Sequence, residues 1–332
     1  MRSWPVKPTP RAWPSWRRVR DEWLRCFGAT TFDFAIDFSG NSWFWAMLML
    51  QAPTARHSIW LHGDRAELLS RERKKGSKRA DEIARVCALY GAYDQLISDS
   101  PSESAINSAS LVHLAAAEKF TAVTSLVGGD RILREAADGD LTLVSDRDQE
   151  STPRWLSDTA ARADIRIFVG LGRLSIENNP SRLLRAFAAA HASAPNARLI
   201  VMGDGPLMRS LSDQVTALGL RDEVWLAGYR TNPFALLRQS DCVVIAGRGV
   251  SESAVIAESR VLGLPVVTVS GGSGPIVVRP GVLEVAADDH SLARGMIRFL
   301  DGAIGKPSFD WVAQNDAAIA SFYRAIGVHG AH

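Results

Sequence analysis

ARADIRIFVGLGRLSIENNPSRLLRAFAAAH, from Ala161 to His191, decides how this chain is read: a strand (IRIFVGLG) meets a polar loop, and a helix follows. The order recurs downstream in RLIVMGDGPL (Arg198 to Leu207), VWLAGYRTNP (Val224 to Pro233), SDCVVIA (Ser240 to Ala246) and ESRVLGLPVVTV (Glu258 to Val269). Glycines stand where the strands end. Strand, loop and helix in repetition predict an α/β fold with a parallel sheet whose strand ends hold a phosphate-bearing ligand.

Working outward, the second domain spans 160–305, and FDWVAQNDAAIASFYRAIG (Phe309 to Gly327) reads as an amphipathic closing helix within 306–332, stopped by Gly327. Upstream, the polar stretch Asp146 to Asp158 marks a linker. A first domain over 31–150 carries strands at FDFAIDFSG (Phe32 to Gly40), HSIWLHGD (His57 to Asp64) and DQLISDS (Asp94 to Ser100). Helices are expected at NSWFWAMLMLQA, Glu82 to Tyr93 and PSESAINSASL, and a short strand, turn and helix in FTAVTSLVGGDRILREAA. The charged run from Arg65 to Arg79 reads as a solvated helix face or loop. Residues 1–30 form a Trp- and Pro-rich extension with seven Arg or Lys against two Asp or Glu, ending in a short helix stopped by Gly28.

The 332 residues suit two domains, each able to bury its own core. A hydrophobic fraction of 46% and a charged fraction of 22% are those of a globular protein, and a net charge of +2 does not suit a nucleic-acid binder. Cys26, Cys87 and Cys242 show neither metal-ligand spacing nor a disulfide framework, which fits a reducing, cytoplasmic setting. The longest apolar run, Trp43 to Leu50, is far short of the roughly 20 residues that a bilayer requires. The basic, aromatic first 30 residues offer a candidate surface for peripheral contact with an anionic membrane.

The chemistry gathers at the strand ends. Arg173 in the loop after the first strand is a fixed cation for a diphosphate, beside a helix start that favours anions. Gly172, Gly203 and Gly228 permit tight turns and close approach of a ligand. Tyr229 either stacks on a base or packs. In the first domain, His62 and Asp64 close a strand, where a histidine binds a phosphate, orients a hydroxyl, or is satisfied internally.

In order and spacing these pieces resemble the donor-binding domain of family-4 glycosyltransferases of the GT-B fold, and the whole resembles bacterial enzymes of cell-surface polysaccharide and teichoic-acid type. The resemblance implies two Rossmann-like domains facing a cleft. The family's G-R-L-S-x-E-K-N is matched at Arg173, Ser175, Glu177 and Asn179, with Asn178 where the family has Lys. Gly263, Pro265, Val266 and Val267 fix the register of the Glu-x7-Glu motif: Glu258 falls on the glutamate that bonds the donor ribose. Val250 falls on the one that addresses the sugar, with Glu252 and Ser253 close by as substitutes in the donor site. His62 and Asp64 match the family's His-Asn-Asp, with Gly63 in its middle. A full first domain of this kind begins with a strand and Gly-rich loop ahead of Phe32, so the first domain is expected to be incomplete.

The resemblance implies a glycosyltransferase moving a sugar from a nucleotide-diphosphate-sugar, such as a UDP-sugar, to a glycan or lipid-linked acceptor of the cell envelope. It implies retention of configuration, no metal and no cofactor. Catalytic roles fall to His62, Asp64 and Arg173. The donor contacts fall to Gly172, Arg173, Asn178, Gly203, Gly228, Tyr229, Glu252, Ser253 and Glu258. The departures at Asn178 and Val250 keep two alternatives open: a catalytically impaired nucleotide-sugar-binding homologue, and a sugar-nucleotide epimerase.

Overall fold

Two aspartates show how strands are clamped together in each sheet. Asp94 precedes the strand Gln95–Ser98, and Asp241 precedes Cys242–Ile245. The Asp94 carboxylate accepts the His57 N–H at 2.8 Å while its own N–H donates to the His57 carbonyl at 2.9 Å. Asp241 does the same with Ile167, at 2.8 Å in both directions. Each aspartate satisfies backbone groups at a strand entry that the ladder alone leaves over. The coordinates are a computed structural model that describes residues 14–138, 152–157, 164–247, 254–270 and 278–328. They fall into two units, Met1–Leu126 with Ala313–His332, and Val127–Val312.

The first unit holds β1 (Phe34–Asp37), β2 (Arg56–Leu61), β3 (Gln95–Ser98) and β4 (Phe120–Ala122), all parallel and in sequence order. Crossovers that always step the same way, each right-handed, put their helices on one face. There α1 (Pro14–Phe27), α2 (Trp43–Met49), α3 (Arg65–Lys74), α4 (Lys78–Cys87) and α5 (Pro101–Leu111) pack Trp23, Met47, Leu69, Ile83 and Leu111 against Ile59, Leu61 and Leu96. Strand periodicity turns the alternate residues the other way. Phe34, Ile36, Trp60 and Ile97 meet Phe322, Ala325 and Ile326 of the final helix, Trp311–Ile326, and Ser321 Oγ donates to the Ala122 carbonyl at 3.0 Å. The expected closing helix therefore forms, and its apolar face completes the core of the first unit.

Three expectations need correction. The charged run from Arg65 folds as α3 and the start of α4, but it is not wholly solvated: Arg65 is fully buried and Glu72 nearly so. The helix expected from Glu82 to Tyr93 instead spans Lys78–Cys87, with Ser77 as its cap, followed by a short 3₁₀ turn at Tyr90–Ala92. Residues 127–137, assigned above to the first domain, belong with the second unit. There α6 (Gly129–Ala137) buries Ile132 and Ala136 beside Phe234, Leu236 and Leu237, and Glu135 lends its carbonyl to Asn232 Nδ2 at 2.7 Å.

Among the described residues the second unit forms a seven-stranded sheet. Its strands are β5 (Arg166–Leu171), β6 (Ala197–Met202), β7 (Val224–Gly228), β8 (Cys242–Ile245), β9 (Val266–Val269), β10 (Val278–Arg279) and β11 (Val282–Val285), in the order β10-β11-β9-β8-β5-β6-β7. All pair in parallel except β10, which runs antiparallel to β11. One face packs Phe168, Leu199 and Val267 against Phe187, Leu211 and Leu292; the other packs Val169, Ile200 and Val243 against Phe234, Leu237 and Ile256. From β5 the chain builds outward to β7, then returns to the opposite side of β5 with β8. That reversal leaves a crevice between the carboxyl ends of β5 and β8, the place where doubly wound sheets bind ligands. Among the described residues no helix is long and apolar enough to cross a membrane.

Candidate functional site

Three strand ends in the second unit interlock through backbone alone. Gly172 follows β5 with φ +136° and Gly203 follows β6 with φ +134°, conformations that side chains resist. The Gly172 N–H donates to the Met202 carbonyl at 3.0 Å, and the Gly203 N–H donates to the Gly228 carbonyl at 2.8 Å. A Cβ on Gly203 would run into the carbonyl oxygen of Gly172, and one on Gly205 into the backbone of Leu174. Gly203 is therefore required both by close approach and by φ, Gly172 by φ and Gly205 by close approach, and together they leave the strand edge bare of side chains.

The loop after Gly172 folds over this edge. Asn179, at φ +46°, caps α7 (Pro180–Ser193), its side chain accepting the Arg182 N–H at 3.2 Å. Asn178 Nδ2 donates to the Arg173 carbonyl at 2.8 Å and so ties the loop shut. Two recesses result. One of about 130 Å³ lies at the β5–β8 reversal and is lined by Gly172, Arg173, Asn178, Ala246 and Gly247 among others. The other, of about 490 Å³, is lined by Gly172, Arg173, Gly203, Asp204, Tyr229 and Arg230 among others. They share Gly172 and Arg173. The larger alone falls within the roughly 300–1,000 Å³ typical of small-molecule sites.

Arg173 is exposed, so its guanidinium is available to a ligand. Tyr229 is 58% exposed and presents a large ring face beside the larger recess. Arg230, beside it, is only 6% exposed; its Nε donates to the Ala227 carbonyl at 3.0 Å, its guanidinium lies 4.9 Å from the Trp225 ring centre, and burial pulls its pKa down. The sequence reading did not single out Arg230, since an arginine after a strand and a tyrosine looks like a surface residue. An exposed cation, the N-terminal end of a helix and a ring at the mouth suit a ligand with an anionic part and a flat part.

Glu258 lies in α8 (Ala254–Val261), half-buried; burial raises its pKa, and the charge of Arg131 on α6 acts the other way. It does not line either recess, whereas Val255 on the same helix lines the smaller one. Val250, Glu252 and Ser253 lie outside the described residues.

The first unit has its own strand-edge cluster. Trp60 Nε1 donates to Asp99 Oδ1 at 2.6 Å, His62 Nδ1 lies 3.1 Å from Asp99 Oδ2, and His62 Nε2 lies 2.8 Å from the Phe38 carbonyl. Carboxylate and carbonyl only accept, so the ring satisfies both as an imidazolium. The hydrogen bond to Asp99 accordingly raises the His62 pKa against the opposing effect of burial. Burial pushes the Asp99 carboxyl up, but the bonds from His62 and Trp60 outweigh it and leave the group below its ordinary value. Asp64 is used differently: its carboxylate caps α3 by accepting the Glu67 N–H at 2.9 Å. Nearby, the buried Arg65 donates to Tyr90 Oη at 3.1 Å, Asn41 Oδ1 at 2.9 Å and the Gly40 carbonyl at 2.7 Å. Asp99 and Arg65 were not legible as site residues, because their partners lie 24 to 39 positions away.

Comparison with known proteins bears on the second unit above all. Residues 152–310 match the family described as glycosyl transferases group 1, a stretch that contains every glycine of the candidate site. Over 112 residues the chain is 33% identical to an uncharacterized glycosyltransferase of Methanocaldococcus jannaschii, covering 34% of this chain and 28% of the relative. Over 192 residues it is 27% identical to the D-inositol 3-phosphate glycosyltransferase of Mycobacterium tuberculosis, covering 51% of this chain and 39% of the relative. The chain thus spans well under half the length of these curated relatives. It superposes on HepE of Anabaena, solved with UDP, at a TM-score of 0.64 and 16% identity over 96% of this chain and 84% of that one. At that identity the likeness is one of fold: the two-unit α/β architecture is that of GT-B glycosyltransferases.

Proposed function

We propose that this chain transfers a sugar from a nucleoside-diphosphate-sugar, a UDP-sugar by preference, to a glycan or lipid-linked acceptor of the cell envelope. The reading includes retention of anomeric configuration and no metal. The observation that carries it is the meeting of two recesses at Gly172 and Arg173, with Tyr229 beside the larger one. Transfer builds negative charge on the departing diphosphate, and groups already aimed at that charge lower the barrier. Arg173 supplies the cation, and the positive end of the α7 dipole adds to it. Tyr229 stacks on the base and Glu258 accepts from the ribose hydroxyls, with Glu252 and Ser253 completing the donor side. His62 belongs to the acceptor side, and the basic first 30 residues to peripheral contact with a membrane.

Calorimetric titration with UDP, GDP and CDP tests this reading. UDP is expected to bind, and Arg173→Ala is expected to lose about 1.5–3 kcal/mol of that affinity, the worth of a hydrogen bond to a charged group. Unchanged affinity and unchanged turnover in Arg173→Ala would sink the assignment. A second reading, a nucleotide-sugar-binding homologue of impaired activity, draws on Asn178: its amide is engaged by the Arg173 carbonyl and brings no charge to the leaving group. Tight UDP binding without turnover of any UDP-sugar would favour it.

A further inference from the structure

We propose that Asp99 is a positioning residue that acts through His62 to hold the Phe38 turn at the strand edge of the first unit in one conformation. Three successive strand ends meet here: Phe38 follows β1, His62 follows β2 and Asp99 follows β3. The two oxygens of Asp99 are divided between the indole N–H of Trp60 and the ring of His62. Trp60 is 6% exposed and lies in a strand, so it fixes the carboxylate rather than following it. The far nitrogen of His62 donates to the Phe38 carbonyl, and the Phe38 ring returns to Trp60 with centroids 4.8 Å apart, closing a circuit of four residues. Next along the turn, Gly40 is gripped by Arg65 through its carbonyl and by Asp37 through its N–H, at 2.7 and 3.1 Å. The turn is therefore set from both ends while the Phe38 side chain stays 62% exposed.

The circuit requires two protons on one ring. Removing either leaves a nitrogen lone pair facing an oxygen, so one of the two bonds is lost. The charged groups that act on His62 are Asp99, which favours the imidazolium, and Arg65, which opposes it. The turn is thus held below the raised His62 pKa and released above it. The consequence for sugar transfer rests on the proposed function; the latch itself belongs to the free protein.

The test is a ring-nitrogen NMR titration of the histidine-labelled full chain, wild type beside Asp99→Asn and Asp99→Glu. In the wild type His62 is expected to stay doubly protonated above the ordinary histidine range, with the Phe38 and Ser39 amide signals moving at the same midpoint. Asp99→Asn should bring the midpoint down to the ordinary value or below it, and Asp99→Glu should restore part of the shift. A midpoint that is the same in wild type and Asp99→Asn, or amides that ignore the titration, would overturn the proposal. If Asp99→Asn fails to fold, His62→Gln read through the same amides decides it, since a latched turn should then lose its pH response. UDP affinity should be equal in wild type and Asp99→Asn, while hydrolysis of UDP-glucose should slow several-fold in the variant. A wild type that binds no UDP refutes the functional reading and leaves the titration to judge the latch.

Discussion

The two strand edges of this protein are built on opposite plans. The edge of the second unit is stripped: Gly172, Gly203 and Gly205 lock backbone to backbone, and the cationic head of Arg173 is left exposed. The edge of the first unit is filled: Asp99, His62, Trp60 and Arg65 spend their donors and acceptors on one another and on the Phe38–Asn41 turn. A stripped edge has few internal partners to lose, so its substitutions should appear mainly in ligand binding. A filled edge satisfies itself, so its substitutions should appear in stability and pH response.

The largest effect is expected from Gly203→Ala. A residue with a Cβ at φ +134° is strained by about 1–3 kcal/mol, and here the added carbon meets the Gly172 carbonyl oxygen. The strand ends must part, which removes the shared floor of both recesses. UDP affinity should fall more than about a hundredfold, the equivalent of some 2.7 kcal/mol, and the thermal midpoint should drop as well. Retention of UDP binding by this variant would show that the glycine lock does not shape the site. Arg173→Ala comes next, with a ten- to hundredfold loss of affinity at 1.5–3 kcal/mol and an unchanged thermal midpoint, because the removed side chain is exposed.

Glu258→Gln separates binding from stability most sharply. Burial raises the Glu258 pKa, so the charged form is held at a cost to the folded state at neutral pH. The neutral isostere should leave the protein as stable or slightly more stable, yet weaken UDP by about tenfold, through a lost charge-assisted bond. In the wild type, UDP affinity should decline as pH falls through the raised Glu258 value, and that decline should be missing in Glu258→Gln. A variant that loses stability but keeps UDP affinity would make Glu258 a packing residue.

The first unit should answer to pH instead. The His62 pKa is raised in the folded state, so its contribution is fully present below the unfolded value of about 6.5 and is lost as pH rises through the folded one. The Asp99 pKa is depressed, so its contribution is present above its unfolded value and is lost as pH falls through the folded one. The pair therefore stabilises between those limits. The stability difference between wild type and Asp99→Asn should be widest at mildly acidic pH and narrow toward alkaline pH. His57, whose pKa burial lowers, contributes the opposite slope to both proteins and cancels in the difference. A difference that does not change with pH would mean that Asp99 acts only through Trp60.

How much of this was legible in the residues follows the same division. The stripped edge could be read, because glycines at strand ends are local signals and Gly172, Gly203 and Gly228 each stand where a strand stops. The closing helix was legible for a like reason, its length and its Gly327 stop. The filled edge was not: Asp99 read as one polar residue of a strand and Arg65 as the first of a charged run. Burial of a cation depends on Gly40, Asn41 and Tyr90, whose meeting is a property of the sheet order and not of any window of sequence. The same holds for α6, whose allegiance to the second unit rests on Phe234 and Asn232, about a hundred residues downstream.

Asn178→Lys is the smallest and most exacting test of the stripped edge. It adds the cation that the resemblance expects beside the diphosphate, and it removes the amide that donates to the Arg173 carbonyl at 2.8 Å. The gain is a charge near the surface, worth about 0.2–1 kcal/mol against a mobile partner and screened by salt. The loss is a neutral hydrogen bond worth about 0.5–1.5 kcal/mol, partly recovered by water because the bond is exposed. The two nearly cancel, with the balance expected to favour the charge at low ionic strength. UDP affinity should rise about twofold in dilute buffer and return to the wild-type level near 0.15 M salt, where the Debye length is about 8 Å. A loss of affinity at every salt concentration would show instead that the clamp on the Arg173 carbonyl outweighs a second cation. Asparagine at 178 would then be the residue that this particular loop requires.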